Sequence, residues 1–340
     1  PRGSAKSGDS VLAQSLENAA RLAIGDLKGV QVDLKVYDTA GDPATAANAA
    51  TQAINDGARI ILGPVYAEAA NAAGVAAAKR NVNVLAFSNN TAIAGGNVFI
   101  LGATFANTAQ RLTEYAVRQG RGNIVIVSGN DAAGRAGSAA IQAAAGRTGA
   151  TIAGSVGYEL SQKGVIDAVG PIRDTARANN ANAVFMTATT AGALPLLTQL
   201  LPEAGLDKES TQYIGLTRWD IPSPTLSLPG VQGGWFALPD PSKSQQFITR
   251  YSSAYGGAPH SIGGLAYDGI AAIGALVSAG KSDALTGAAL TQGAGFQGTG
   301  GIFRLRADGT NERGLAVATI QEQKVVVIDP APSSFSGTGF

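Results

Sequence analysis

Cysteine is absent from the 340 residues, which excludes disulfides, thiolate metal sites and thiol nucleophiles. Histidine occurs once, at His260, so no His-rich metal cluster can form and a Ser-His pair has one candidate at most. That residue follows Pro259 in an expected loop, and no G-x-S-x-G accompanies it, so a serine-hydrolase triad lacks its parts. Charge is also scarce. Asp, Glu, Lys and Arg make up 14% of the chain, against about 25% in an average soluble domain. A formal net charge of +1 and the lack of a basic stripe give nucleic acid no footing. Apolar runs stay short of the roughly 18 residues that span a bilayer, so a soluble chain is expected. The opening PRGSAKSGDS has no signal-peptide pattern and reads as a processed or trimmed start, or a tag remnant. A cysteine-free composition fits an oxidising compartment.

What is present is alternation. Helical patterns at 10–27, 42–57, 68–81 and 107–120 are separated by β-rich runs at 30–38, 58–63, 83–88 and 97–102. Asp9 or Ser10 is the expected cap of the first helix, and Asp42 that of the second, with Pro43 at its first position. Gly57 and Gly120 stand where helix carboxyl ends favour glycine. The rhythm continues with strands expected at 123–129, 151–159, 182–188 and 212–217, helices between them, and further helices at 242–255 and 264–280. The tail, GGIFRLRADGTNERGLAVATIQEQKVVVID, reads as three strands joined by turns at ADGT and QEQK. Such alternation predicts an α/β fold of two doubly wound, Rossmann-like lobes. Ligands in these sheets sit at the carboxyl ends of strands. The loops VYAE, SNNT, GNDA, TATT and TRWD become the candidates.

The stretch AFSNNT (86–91) ends an apolar strand in four polar side chains. A turn, a helix cap, a glycan acceptor and a ligand-site wall all fit it. Another pattern, GAGFQG (293–298), spells G-x-G-x-x-G, but no strand leads into it, so a dinucleotide site has little support.

Several segments taken together resemble the type I periplasmic binding proteins of the leucine/isoleucine/valine-binding family. They are VYDTAGDPATAANAATQAINDGARIILGP (36–64), NVLAFSNNTAIA (83–94), LGATFANTAQRLTEYAV (101–117), GLAYDGIAAIGAL (264–276) and the closing hairpin FQGTGGIFRLRADGT (296–310). They run in order over essentially the whole chain. Within the family, IGLTRWDIP, GVQGGWFALPDP and FSNNTAIAGGNVF are most similar to the alphaproteobacterial set called penicillin-binding-protein activators. Family members normally open with a central strand, which here is missing or reduced to Pro1, implying a chain shortened at its start.

The resemblance implies a three-strand hinge with lobe 1 at 1–120 plus 244–299, lobe 2 at 121–243 plus 300–330, and a tail at 331–340. Gly120, Gly122, Gly300 and Gly301 would absorb the dihedral change on closure over a ligand. It also implies a carboxylate site from hydroxyls and backbone N–H groups after two strands, matching Tyr66, Ala67, Ser88, Asn89 and Asn90. Phe105 and Tyr267 match cleft-facing aromatic positions, with core packing the alternative reading for each. In the second lobe the matching positions are Asn130, Thr189, Thr217, Arg218 and Trp219. An acid is expected near Thr217 or Arg218 and is missing there, which argues against an ordinary branched-chain amino acid. Arg218 and Trp219 suit an anionic or ring-bearing ligand, unless Arg218 simply pairs with Asp220. The resemblance implies a non-enzymatic protein without metal or cofactor. It would bind a small amino-acid-like solute for an ABC permease, or else contact a peptidoglycan synthase. A periplasmic location is implied, with lipid anchoring of a longer precursor left open.

Overall fold

Helices and strands alternate through most of the chain, and the computed structural model describes residues 1–335. The order opens with α1 (Asp9–Asp26), α2 (Pro43–Asn55), β1 (Ile60–Leu62), α3 (Ala67–Ala78), β2 (Asn83–Ala86) and β3 (Val98–Ile100). It continues with α4 (Phe105–Arg118), β4 (Asn123–Gly129), α5 (Ala132–Thr148), β5 (Thr151–Tyr158) and α6 (Gln162–Ala178). Then come β6 (Ala183–Met186), α7 (Leu194–Glu203), β7 (Gln212–Gly215), β8 (Trp235–Pro239), α8 (Pro241–Tyr255), α9 (Gly264–Ser278) and α10 (Gly287–Leu290). Five strands follow: β9 (Phe296–Gly298), β10 (Gly301–Leu305), β11 (Asn311–Arg313), and the hairpin β12 (Leu315–Gln321) and β13 (Lys324–Asp329).

Two units result. The first holds Pro1–Thr104 and Pro239–Gly314, and the second holds Phe105–Leu238 and Leu315–Ala331. Residues 332–335 belong to the first unit, and the end of the expected tail, 336–340, lies outside the described residues. These divisions fall elsewhere than the boundaries expected near 120 and 300. The reason is packing. Leu112 and Ala116 of α4 are fully buried in one cluster with Ile126, Ile141 and Phe185, so α4 belongs with the second sheet. Burying each such large apolar side chain is worth about 1.5–3 kcal/mol.

In the first unit, β1, β2 and β3 form a parallel sheet in that order, and β9, β10 and β11 form a separate antiparallel one. The second unit has one seven-stranded sheet, β13-β12-β8-β7-β6-β4-β5. Its strands β5, β4, β6, β7 and β8 pair in parallel, with β5 at the edge, as βα alternation requires.

Three local expectations are corrected. Residues 30–38 alternate like a strand but join no ladder. The cap of α1 is Gly8, at φ 88°, with no side-chain bond; Asp9 is instead the first helical residue. The tail from Gly300 to Asp329 forms four strands, β10 to β13, rather than three, because the chain breaks at Gly314. A Cβ there would stand 2.7 Å from Ile302 Cγ1, and the break sends β11 and β12 to different units. Asp42 does cap α2, accepting from the Thr45 N–H at 2.8 Å, with Pro43 in the first turn.

Candidate functional site

In the first unit the carboxyl ends of β1 and β2 lie side by side. Gly63 donates to the Leu85 carbonyl at 2.7 Å and Phe87 to the Pro64 carbonyl at 3.0 Å. These bonds put the amino terminus of α3 beside the Ser88 loop. That helix begins after Tyr66 without any side-chain cap, so its first N–H groups stay open to an acceptor. Ser88 is buried, and its hydroxyl accepts from the Asn90 N–H at 3.1 Å. Asn90 in turn caps the short turn at Thr91–Ile93 through the Ala92 N–H. Asn89 differs from both. It is exposed, and among the described residues neither its carboxamide nor its backbone N–H has a partner. The polar run therefore divides its work: Ser88 and Asn90 shape the loop, and Asn89 keeps an exposed, unpartnered carboxamide.

The neighbouring strand end is braced. Gly102 donates to the Ser88 carbonyl at 3.1 Å, and a Cβ at Gly102 would meet that oxygen at 2.7 Å, so only glycine allows the approach. Buried Asn311 donates to the carbonyls of Ile100 at 2.8 Å and Gly102 at 2.9 Å. Arg313 bonds the Leu101 carbonyl at 3.1 Å and the buried Asp268 carboxylate at 3.1 Å. Asp268 also accepts from the Thr299 N–H at 2.7 Å. A polar strut from β11 and α9 thus fixes the loop after β3.

Two tyrosines named from the sequence are placed far apart. The Tyr66 hydroxyl donates to Asp9 at 2.5 Å, and the Lys6 ammonium sits 4.2 Å from its ring centre. Hydrogen bonds from Ser4 and Tyr66 hold the Asp9 carboxyl below its ordinary pKa, and that same bond to Asp9 raises the phenol's. The Tyr267 hydroxyl donates to Asp26 at 2.6 Å and packs edge-on against Phe247. Asp9 and Asp26 are the two ends of the 18-residue α1, which is roughly 27 Å long at 1.5 Å per residue. Tyr267 therefore cannot share a site with Tyr66. It ties α1 to α8 and α9, with Arg250 bonded to the same Asp26 carboxylate.

In the second unit Asn130, Thr189 and Thr217 follow β4, β6 and β7, which are sheet neighbours. Thr217 donates to the Ala188 carbonyl at 3.2 Å, and Thr189 is exposed. Asn130 donates to the Glu159 carboxylate at 2.7 Å, over a glycine, Gly157, whose Cβ would overlap the amide. Glu159 is exposed at the end of β5 and was not singled out from the sequence. Its only signal is its place, the first residue after a strand of apolar and small residues.

Arg218 takes the alternative left open for it, and the stacking role expected of Trp219 is corrected. Arg218 forms a two-bond fork with Asp220, its Nε at 2.8 Å from one oxygen and a terminal nitrogen at 2.5 Å from the other. The guanidinium charge is thereby neutralised locally. Trp219 is fully buried, and its indole N–H has no partner among the described residues. It sits where Gly215 and Gly234 leave room, since a Cβ on either would overlap the ring. No stacking face is offered to a ligand. Phe105 opens α4 at 37% exposure, outside the second unit's buried clusters.

Comparison with known proteins fits this geometry. The family model for periplasmic binding proteins matches residues 4–324. The chain belongs to the periplasmic binding protein family. No curated protein matches at a significant level. Among solved structures, a Rhodospirillum rubrum protein assigned to a branched-chain amino acid ABC transporter superposes with a TM-score of 0.79 at 18% identity, covering 95% of this chain and 96% of that one. A Desulfitobacterium hafniense ABC transporter substrate-binding protein in complex with Leu gives 0.64 at 17%, over 92% and 95%. A Rhodopseudomonas palustris BisB5 solute-binding protein in complex with 3,4-dihydroxybenzoic acid gives 0.61 at 18%, over 97% and 96%. At these identities the likeness is one of fold, the two-lobe type I architecture. No helix among the described residues is long and apolar enough to cross a membrane.

Proposed function

We propose that this periplasmic binding protein captures a small carboxylate-bearing solute, an amino acid or an aromatic acid, outside the cytoplasm for an ABC importer. One observation carries the reading. The uncapped start of α3 and the open donors of Asn89 stand at adjacent strand ends of the first unit. Backbone N–H groups at a helix start favour an anion, and a carboxamide adds a directed donor. The two ligand complexes above contain leucine and a benzoic acid derivative, and both ligands are carboxylic acids. That shared group supports the same chemistry here.

In the second unit the proposed contacts are Asn130, Thr189 and Glu159. The Asp220 carboxylate is taken up by Arg218, and Glu159 supplies the acid missing at Thr217 and Arg218, with one oxygen held by Asn130 at 2.7 Å. It would serve an α-ammonium. Charge-assisted bonds of this kind are worth about 1.5–3 kcal/mol. The regulatory alternative, contact with a peptidoglycan synthase, rests on the sequence resemblance alone, and no observation favours it.

A thermal-shift panel of amino acids, benzoates and their uncharged analogues tests the proposal. A true ligand at a hundredfold excess over its Kd stabilises by about 2.7 kcal/mol. A shift confined to carboxylates supports the reading, and silence across the panel refutes it.

A further inference from the structure

In the second unit β7, β6, β4 and β5 lie side by side in that order, all parallel, so their carboxyl ends form one row. Two arginines stand near this row. Arg218, after β7, is spent in its fork with Asp220. Arg135 lies in the first turn of α5 and is exposed. Its guanidinium makes one hydrogen bond, to the Asn130 carbonyl at 3.4 Å, and among the described residues no carboxylate lies within ion-pair distance of it.

Helix stability does not account for a cation at this position. The first turn carries the positive end of the helix dipole, so an arginine there is unfavourable and an acid would serve better. The nearest acid, Asp131, is already used: its carboxylate caps α5 by accepting from the Gly134 N–H at 2.8 Å. Packing brings Arg135 to the strand end. A Cβ on Gly134 would stand 2.0 Å from the Gly129 carbonyl oxygen, so glycine lets the first turn press on the end of β4. Ala132 and Ala133, which open the helix, are exposed and carry only methyl groups. Nothing bulky on that turn screens the guanidinium.

Asn130 thus has a cation on its carbonyl and an anion on its amide. Glu159 accepts from the Asn130 side chain at 2.7 Å, yet it forms no ion pair with Arg135. Two opposite charges that share a neighbour without neutralising each other are each open to a ligand group.

We propose that Arg135 sets specificity for a second carboxylate on the ligand, which makes the solute an acidic amino acid. This rests on the reading above, in which the first unit's donors take one carboxylate and Glu159 takes the ammonium. Arg135 is then the cation left over at these strand ends, and it calls for a further anion. A guanidinium suits that group, because its planar fork bonds both oxygens of a carboxylate at once. A neutral side chain would leave the fork to solvent, and a basic one would be repelled.

Calorimetric titration of two acid–amide pairs, glutamate with glutamine and aspartate with asparagine, tests this, with leucine and benzoate as single-acid references. At least one of the two acids is expected to bind about tenfold or more tightly than its amide. Added salt should narrow that gap, since the guanidinium is exposed. The gap should close in Arg135→Gln and reopen in part in Arg135→Lys, which keeps the charge without the fork. It should persist in Arg147→Gln, which removes a cation from the last turn of the same helix. Equal affinity within both pairs, while leucine or benzoate binds, overturns this proposal and leaves the carboxylate reading standing. Silence from every acid overturns both. A gap that survives Arg135→Gln, with a lower thermal midpoint in the unliganded variant, overturns the specificity role and gives Arg135 a structural one.

Discussion

Removal of the Trp219 side chain separates its two readings most sharply. A buried tryptophan hides about 150–250 Å², worth roughly 4–6 kcal/mol at 25 cal/mol per Å². Its indole N–H is buried without a partner, a cost of about 1–3 kcal/mol that truncation relieves. Trp219→Ala should therefore destabilise the second unit by about 3–4 kcal/mol, within the range for large-to-small aromatic changes. The flanking glycines supply a second test. Gly215→Ala overpacks the ring, at about 1–3 kcal/mol, but should cost much less once the ring is gone. A double-mutant cycle in urea, followed by circular dichroism, should give a coupling of about 1–2 kcal/mol between the positions. A loss below about 0.5 kcal/mol in Trp219→Ala, with ligand-dependent stabilisation abolished, would refute the core assignment and restore a stacking role.

Other outcomes follow from named contacts. Asn89→Ala should weaken a carboxylate ligand about tenfold, by calorimetric titration, with little change in stability, whereas Ser88→Ala should disturb the loop and lower both. Glu159→Gln should reduce affinity for amino acids about tenfold or more and leave benzoates unaffected; an equal loss for both classes would remove Glu159 from ammonium recognition. Tyr267→Phe should leave affinity unchanged in the same titration while lowering the denaturation midpoint, because its hydroxyl serves Asp26. Burial pushes the Asp329 pKa up, but the hydrogen bonds and charges of Arg111 and Arg118 outweigh it and leave it below the ordinary value. The resulting stability is present above the unfolded carboxylate pKa of about 3.9 and is lost as pH falls through the folded value. Unfolding of Arg111→Ala as a function of pH should therefore show a weaker acid dependence below about pH 4 than the parent chain.

The fold was legible where periodicity and capping agreed. Asp42 with Pro43 marks α2, and the apolar runs at 123–129 and 182–188 are the buried strands β4 and β6. Residues 30–38 mislead because alternation reports which faces a segment offers, not whether a neighbour pairs with it. Trp219 misleads for a related reason. Its segment reads as a loop, and the space that buries it is made by Gly215, four positions earlier, and Gly234, fifteen later. Arg218 and Asp220 are two apart, and sequence alone leaves open whether the guanidinium turns to its neighbour or to a ligand. Within SNNT the residue types were informative but the division of labour was not. Only the hydrogen bonds separate Asn90, which caps a turn, from Asn89, which does not. Glu159 was hidden as the last residue of an expected strand.

The carboxylate is the centre of the account, so the most direct measurement compares one acid with its own amide. The tightest solute from the panel is titrated beside its primary carboxamide, at equal ionic strength. Loss of a charge-assisted set worth about 1.5–3 kcal/mol predicts binding weaker by about 10- to 150-fold for the amide, with the difference largely erased in Asn89→Ala. Equal affinity for acid and amide would contradict the account and remove the anion from the first unit's strand ends.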